Sequence, residues 1–159
     1  MLNRRDILGV VGVGFAGAAL TAGEARAQHP HHHDKLHGEC LKTSEACATV
    51  CNETFHHSFA KVKDGHAEHH RVAVLTIDCQ EFCNLCADLM ARESPLIATA
   101  CLACADACKA CGVECARHND PQLKECLEAC KKCEAVCREM AKVTLDPESD
   151  AAKAKASDK

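Results

Sequence analysis

The chain has few of the side chains that usually give a globular core its bulk. Its 159 residues contain no Trp, no Tyr, four Phe and three Met. Large aromatic side chains dominate the packing energy of most cores. Aromatic packing therefore cannot hold this core together, and another kind of side chain must do so.

Positive charge is also scarce. The chain has 19 Lys and Arg against 23 Asp and Glu, a formal net charge of −4. Binding to nucleic-acid phosphates needs a concentrated positive face, so the sequence predicts no nucleic-acid partner. No nucleophile–base pair, phosphate loop or paired-carboxylate site stands out either. We therefore expect a protein that is not an enzyme.

The chain is instead rich in cysteine and histidine. It contains 15 Cys and 11 His. Cysteine at roughly 9 % of a short chain is typical of a disulfide scaffold or of a thiol-rich metal protein. The cysteines are the first candidates for both the stability and the function of the chain.

The first 27 residues predict an export signal. Arg4 and Arg5 precede a Gly/Ala/Val-rich stretch, and Ala25-Arg26-Ala27 follows it. This order is typical of a signal peptide of the twin-arginine type. Glycines interrupt the apolar stretch, which is shorter than the ~20 residues of a membrane-spanning helix. We expect a periplasmic protein with no membrane association after removal of the signal. Because this pathway exports folded proteins, metal loading can precede exposure to the oxidising periplasm.

The rest of the chain divides at proline and glycine signals. We expect a flexible His-rich segment at 28–35, a domain at 36–142 and a charged flexible tail at 143–159. Turn signals occur at Lys63-Asp64-Gly65, Ser94-Pro95 and Asn119-Asp120-Pro121. In the last two, a capping side chain precedes a proline that can open a helix.

These signals leave four helical segments inside the domain. We place them at residues 36–59, 66–92, 95–118 and 121–142. No segment alternates with period two, so we expect no sheet. Four helices with short connections predict an all-α fold, an antiparallel up-down-up-down four-helix bundle.

The cysteines recur on one face of each predicted helix. Successive cysteines are three or four residues apart, or seven in one case, which is the spacing of an inward-facing stripe. We therefore expect a Cys-lined core. By helix, the cysteines are Cys40, Cys47 and Cys51; Cys79, Cys83 and Cys86; Cys101, Cys104, Cys108, Cys111 and Cys115; and Cys126, Cys130, Cys133 and Cys137.

Several explanations compete for these stripes. Buried Cys can pack as a small hydrophobe, but packing alone does not explain 15 positions. A disulfide scaffold suits an exported protein, yet the number is odd and the cysteines are stacked within helices. Cys79-x-x-x-Cys83-x-x-Cys86 matches a radical-SAM cluster motif, and CxxC pairs resemble zinc ligands. Any helix with inward cysteines three and four residues apart contains both patterns, so neither pattern is specific for a cluster or a zinc site.

Storage of Cu(I) accounts for the whole set. Cu(I) is soft, prefers thiolate and accepts two or three ligands. Same-face neighbours on a helix lie ~5–6 Å apart between Cβ atoms, so one ion can bridge them. Each monovalent ion also cancels one buried thiolate charge. Two alternatives stay open: a metallothionein-like sink for zinc or other soft metals, and a thiol/disulfide redox protein that uses one CxxC pair.

The last two helices resemble the bacterial copper storage protein (Csp) family. The resemblance is carried by SPLIATACLACADACKACGVECARHNDP and ECLEACKKCEAVCREMA, and more weakly by DCQEFCNLC. It implies that many Cu(I) ions are stored along the bundle core, in a homotetramer. It implies the periplasm for members with a twin-arginine leader, and copper donor or acceptor proteins as partners. The implied metal ligands are the 15 cysteines together with His118, which follows Cys115 as in the family's Cys-x-x-His.

Family members usually admit copper at one end of the bundle through His or Met. One end of this bundle should gather histidines; we name His56, His57, His66, His69, His70 and His118 the histidine end. The opposite end offers Met90, Met140, Leu96 and Ile97 as an apolar plug, with His37 nearby. Where relatives often continue a run of histidines after the third helix, this chain has Asn119-Asp120-Pro121-Gln122.

Overall fold

A computed structural model describes residues 31–146, with side chains from residue 35 onward. The predicted signal at 1–27, residues 28–30 of the His-rich segment and residues 147–159 of the predicted tail lie outside the described residues. The described part contains four long helices, α1 (His31–Lys63), α2 (His70–Ala91), α3 (Ile97–Cys115) and α4 (Pro121–Leu145). A short 3-10 helix, Ala67–His69, precedes α2. Residues 31–146 contain no strand, which confirms the all-α class.

The helices form a square in which each packs against two neighbours. α1 contacts α2 and α4, and α3 contacts the same two helices. Sulfur pairs give the direction: Cys40 Sγ lies 3.7 Å from Cys137 Sγ, and Cys51 Sγ lies 4.0 Å from Cys126 Sγ. Later residues of α1 thus pair with earlier residues of α4, so the two helices are antiparallel. The predicted antiparallel up-down-up-down bundle is confirmed.

The same hydrogen-bond pattern ends both α1 and α2. After α1, the His66 N–H donates to the Lys61 carbonyl and the Gly65 N–H to the Val62 carbonyl. This is a Schellman motif, which places Gly65 in the left-handed region at φ 94°. Glycine adopts that region without a steric penalty, so the predicted turn is in place.

After α2, the left-handed position of the motif is occupied by a glutamate. The Ser94 N–H donates to the Leu89 carbonyl and the Glu93 N–H to the Met90 carbonyl, with Glu93 at φ 49°. We expected Ser94 and Pro95 to cap and open α3, but α3 does not begin at these residues. Ser94 Oγ accepts from the Leu96 N–H, and α3 begins only at Ile97. Pro95 therefore belongs to the turn.

The start of α4 agrees with its sequence signal. The Asp120 side chain accepts from the Gln122 N–H at 2.9 Å and from the Leu123 N–H at 3.4 Å, and Pro121 is the first helical residue. An aspartate at this position satisfies amides that the helix itself leaves unpaired. α3 ends at Cys115, so His118 lies in the turn between the two helices rather than in α3.

Two helices extend beyond their predicted limits. α1 begins at His31, so residues 31–35 of the segment expected to be flexible are helical. No glycine or proline lies between His31 and Leu36, and each added residue gains one hydrogen bond. α1 also continues to Lys63, where the Gly65 motif stops it.

α4 continues to Leu145, three residues into the segment expected to be a flexible tail. Val143 packs against the core, which supports this last turn. The helix stops before Asp146, because the following residue in the sequence is a proline, which disfavours the helical conformation in its predecessor. No helix in the described residues has the length and apolar character needed to cross a membrane.

The two Schellman turns predict opposite effects of substitution. Gly65→Ala should lower the free energy of unfolding by roughly 1 kcal/mol, because left-handed backbone is unfavourable for an L-residue. A Cβ at Gly65 would meet no atom within 4 Å, so the effect is purely conformational. Glu93→Gly should raise it by a similar amount. Urea unfolding of the reduced chain measures both changes. A change of the same sign in both variants would contradict the left-handed conformation assigned to the two turn residues.

Candidate metal site

All 15 cysteines lie inside the bundle. Each is at most 1 % exposed, and none forms a disulfide. We call the space that these 15 side chains line the thiol tube. Each helix contributes its own stripe, and the nearest sulfur atoms belong to different helices: Cys79 with Cys108 and Cys86 with Cys101 lie 3.6 Å apart. The structure thus places every predicted cysteine ligand in one continuous interior.

The sulfur atoms form groups of the size that a metal ion needs. Fourteen of the cysteines belong to groups in which all sulfurs lie within 4.8 Å of one another. The groups are Cys40, Cys86, Cys101 and Cys137; Cys104, Cys133 and Cys137; Cys47, Cys83, Cys108 and Cys133; Cys47, Cys51, Cys79 and Cys130; and Cys51, Cys111, Cys126 and Cys130. Cys115 belongs to none of them.

Neighbouring groups share sulfurs. Cys137 and Cys133 each belong to two groups, and so do Cys47, Cys51 and Cys130. The five groups therefore connect into a chain that runs along the bundle axis. An ion bound in one group is one ligand exchange away from the next, which is the arrangement of overlapping sites predicted from the helical spacing.

The thiol tube contains no compensating positive charge. No Lys or Arg among the described side chains is buried. Hydrogen bonds with Cys111 and Cys126, together with burial, raise the pKa of the Cys51 thiol. Hydrogen bonds with the same two thiols, and burial, also raise the pKa of Cys115. Thiolates in this interior need a cation beside them, and a soft monovalent ion supplies one positive charge for each proton it displaces.

Four of the six histidines predicted for the histidine end come together there. The ring centroid of His69 lies 5.0 Å from that of His118, 6.0 Å from His57 and 6.4 Å from His66. His69 is buried, and its Nδ1 atom has no hydrogen-bond partner. Desolvation, followed by the neighbouring His118, lowers the pKa of His69. Its ring is therefore neutral near pH 7, with a lone pair free to bind a metal.

The other two predicted histidines lie outside this group. His56 packs its ring against Phe55, with centroids 5.5 Å apart. His70 is exposed and makes none of the ring contacts found in the described residues. Sequence spacing alone placed all six at one end, but it could not tell which of them face the bundle axis.

Two carboxylates stand beside the histidines. His57 Nε2 lies 2.9 Å from Asp120 Oδ2. Partial burial opposes ionisation of Asp120, but hydrogen bonds from His57, Leu123 and Gln122 outweigh it and lower its pKa. The carboxylate thus remains charged at neutral pH and links the end of α1 to the start of α4.

Glu114 is the second carboxylate, and the sequence analysis did not identify it. It is buried and accepts from Arg71 Nε and from Arg117 Nη1, both at 3.0 Å. Its other oxygen lies 3.9 Å from His118 Nε2. The i,i+4 spacing of Glu114 and His118 was the signal that could have found it.

Buried hydroxyls continue two of the cysteine stripes toward the histidine end. Thr54 and Ser58 follow Cys51 at helical spacing on α1, and Thr76 precedes Cys79 on α2; all three are fully buried. Sequence reasoning missed them because it followed the cysteines only. The same three- and four-residue steps would have included them.

The opposite end is apolar, with one difference from expectation. Met90 and Met140 are fully buried and Ile97 nearly so, as an apolar plug requires. Leu96 is 59 % exposed and takes no part in it. His37 is partly buried, and its Nε2 atom has no hydrogen-bond partner.

Comparison with known proteins was made by sequence and by structure. No curated protein sequence matches the chain. Apo copper storage protein 3 from Bacillus subtilis is 30 % identical, with a TM-score of 0.59 over 65 % of this chain and 97 % of its own. A Cu(I)-bound form of BsCsp3 is 30 % identical, with a TM-score of 0.61 over 67 % and 98 %.

A cytosolic copper storage protein from Streptomyces lividans, in a structure with five coppers, is also similar. It is 26 % identical, with a TM-score of 0.65 over 69 % of this chain and 95 % of its own. A sequence model of the copper storage protein family matches residues 26–142, which include the whole bundle up to the last turn of α4. The chain belongs to the copper storage protein (Csp) family.

Proposed function

We propose that the chain stores Cu(I), bound as many ions by the thiolates of the thiol tube. The observation that carries the proposal is the chain of five sulfur groups that share members along the axis. A single structural or catalytic metal would use one such group and leave the others without a purpose. The ligands are the 15 cysteines, with His118 as a ligand at the histidine end. The chain has no catalytic role in this proposal.

The buried thiols argue against a thiol/disulfide redox function. A thiol that exchanges disulfides with other proteins needs access to solvent. Every CxxC pair of the chain lies within a helix, and each cysteine is at most 1 % exposed. A zinc sink is the remaining alternative, and competition between Cu(I) and Zn(II) separates it from the proposal.

The leader, the assembly and the partners belong to the proposal as well. The Arg4-Arg5 signal supports export to the periplasm, in contrast to the Streptomyces relative, which is cytosolic. Exposed Val74, Phe82 and Leu85 on α2 offer apolar contacts for the homotetramer implied by the family resemblance. Copper donor and acceptor proteins would exchange Cu(I) with the chain, without nucleic acid or membrane as partners.

The proposed storage predicts a high copper count. The reduced chain should bind Cu(I) in a number comparable to its 15 thiols, because bridging lets each sulfur serve two ions. Anaerobic titration against a chromogenic Cu(I) chelator, with and without excess Zn(II), measures this number. Saturation at one or two ions, or displacement by Zn(II), would contradict the proposal.

A matched pair of variants tests whether the groups hold the ions. Cys47 belongs to two sulfur groups and Cys115 to none. Cys47→Ser should therefore lower the count more than Cys115→Ser does. Both serines are small and buried, so the two variants carry similar structural costs. Equal losses would mean that the grouping of sulfurs does not determine where the ions lie.

Copper loading should also raise thermal stability. A ligand that binds only the folded state stabilises it by mass action, by roughly 2.7 kcal/mol for one site at 100 times its Kd. Because the ions are expected inside the core, the reduced chain should unfold at a distinctly higher temperature after loading. Circular dichroism melts of the empty and loaded chain measure the shift, and coincident melting curves would contradict copper binding that depends on the folded core.

The histidine end should be the route of copper uptake. The joint variant His69→Ala, His118→Ala should slow transfer of Cu(I) from a chelator, as followed by stopped flow. The final count should stay within one ion of the wild type, because the storage ligands lie deeper. His56→Ala, His70→Ala is the matched control, since both histidines lie outside the group. If Cu(I) transfer slows more in the double variant Met90→Leu, Met140→Leu than in the histidine variant, copper enters at the opposite end.

A further inference from the structure

The ladder of sulfur pairs between α1 and α4 contains one hydroxyl. Cys40 faces Cys137 at 3.7 Å, and two further Sγ pairs face each other at 4.0 Å. These two pairs are Cys47 with Cys130 and Cys51 with Cys126. Between the first pair and the other two, the register brings Ser44 opposite Cys133. The ladder thus has four positions on α1, and the second is a serine.

The Ser44 side chain is directed at sulfur atoms. Ser44 is fully buried, and its Oγ lies 3.8 Å from Cys137 Sγ and 3.9 Å from Cys133 Sγ. These sulfurs are its only hydrogen-bond partners in the described residues. Hydroxyls on helices can bond to the carbonyl four residues earlier. Thr49, Thr54, Thr76 and Thr144 all do so in this structure.

The position of Ser44 also matches an irregularity in the sulfur groups. Four of the five groups contain four cysteines, whereas Cys104, Cys133 and Cys137 form a group of three. Ser44 contacts two members of that group. A thiol at this position would bring a further sulfur to the smallest group of the tube.

We propose that Ser44 sets the copper capacity of the thiol tube, because its hydroxyl occupies a ligand position without binding an ion. This inference rests on the proposed Cu(I) storage. A neutral hydroxyl is a hard donor, and Cu(I) prefers thiolate, so Ser44 does not replace a sulfur in the coordination of the metal. Instead it donates a hydrogen bond to the thiolate of Cys133 or Cys137, which lowers the cost of a buried negative charge.

Three variants test this role by Cu(I) titration of the full reduced chain. Ser44→Cys should bind one more ion per chain than the wild type, and a thiol assay should find 16 thiols. Ser44→Ala should bind the same number as the wild type, because the lost hydroxyl is not a ligand. Thr76→Val is the matched control. Thr76 is another fully buried hydroxyl, one helical step before Cys79, but it donates to the backbone, so its removal should leave the count unchanged.

Each arm has an outcome that overturns the inference. A folded Ser44→Cys chain with 16 reduced thiols and an unchanged count would show that this position does not limit capacity. A lower count for Ser44→Ala, with Thr76→Val unchanged, would show that the serine hydroxyl contributes to copper binding, which contradicts the proposed role. Far-ultraviolet circular dichroism checks folding, and the alanine arm still tests whether the hydroxyl contributes to copper binding if the cysteine variant does not fold. A wild-type chain that binds only one or two ions contradicts the storage proposal instead.

Discussion

The structure depends on the burial of 15 thiols in an interior that contains no cation. Thiols can be buried while they are protonated, because Cys then behaves as a small apolar side chain. Once they lose protons, each needs a nearby positive charge, and the described side chains offer no buried Lys or Arg. The interior is therefore compatible with protonated thiols or with thiolates that bind monovalent soft ions, but not with an array of bare thiolates. The buried thiols can therefore ionise only when Cu(I) ions bind to them, which links the fold to metal binding.

The same constraint explains the composition of the chain. An interior lined by small side chains needs long, closely packed helices, because none of the described aromatic side chains is buried in it. Met90, Met140 and Leu123 are the largest fully buried side chains. Met90 and Met140 close one end of the bundle, and Leu123 lies in the first turn of α4 at the other. The largest buried side chains thus lie at the two ends of the bundle, and cysteine side chains line the interior between them.

Much of the fold and the tube could be predicted from the sequence because both follow from helical periodicity. The steps of three and four between Cys101 and Cys115 require one inward stripe whatever the neighbouring helices do. The turn at Gly65 and the cap at Asp120 follow from local chemistry in the same way. Features that depend on contacts between helices could not be predicted. Glu93 adopts a left-handed turn usually given to glycine, and Glu114 is buried because two arginines reach it. The packing of Val143 against the core, which keeps α4 helical past residue 142, also depends on contacts between helices.

The two ends of the tube differ in donor chemistry, and this difference gives the proposed uptake a direction. At the histidine end, imidazoles stand beside the carboxylates of Glu114 and Asp120, and from there the donors change inward along α1 and α2. Buried hydroxyls follow, and then thiols. A soft monovalent ion gains affinity at each exchange of a harder donor for sulfur, so it moves inward. A hard divalent cation prefers oxygen donors to sulfur, so the same order of donors does not draw it inward. In the proposed uptake, the order of the donors along the axis therefore favours Cu(I), in addition to the thiolates that finally hold the ion.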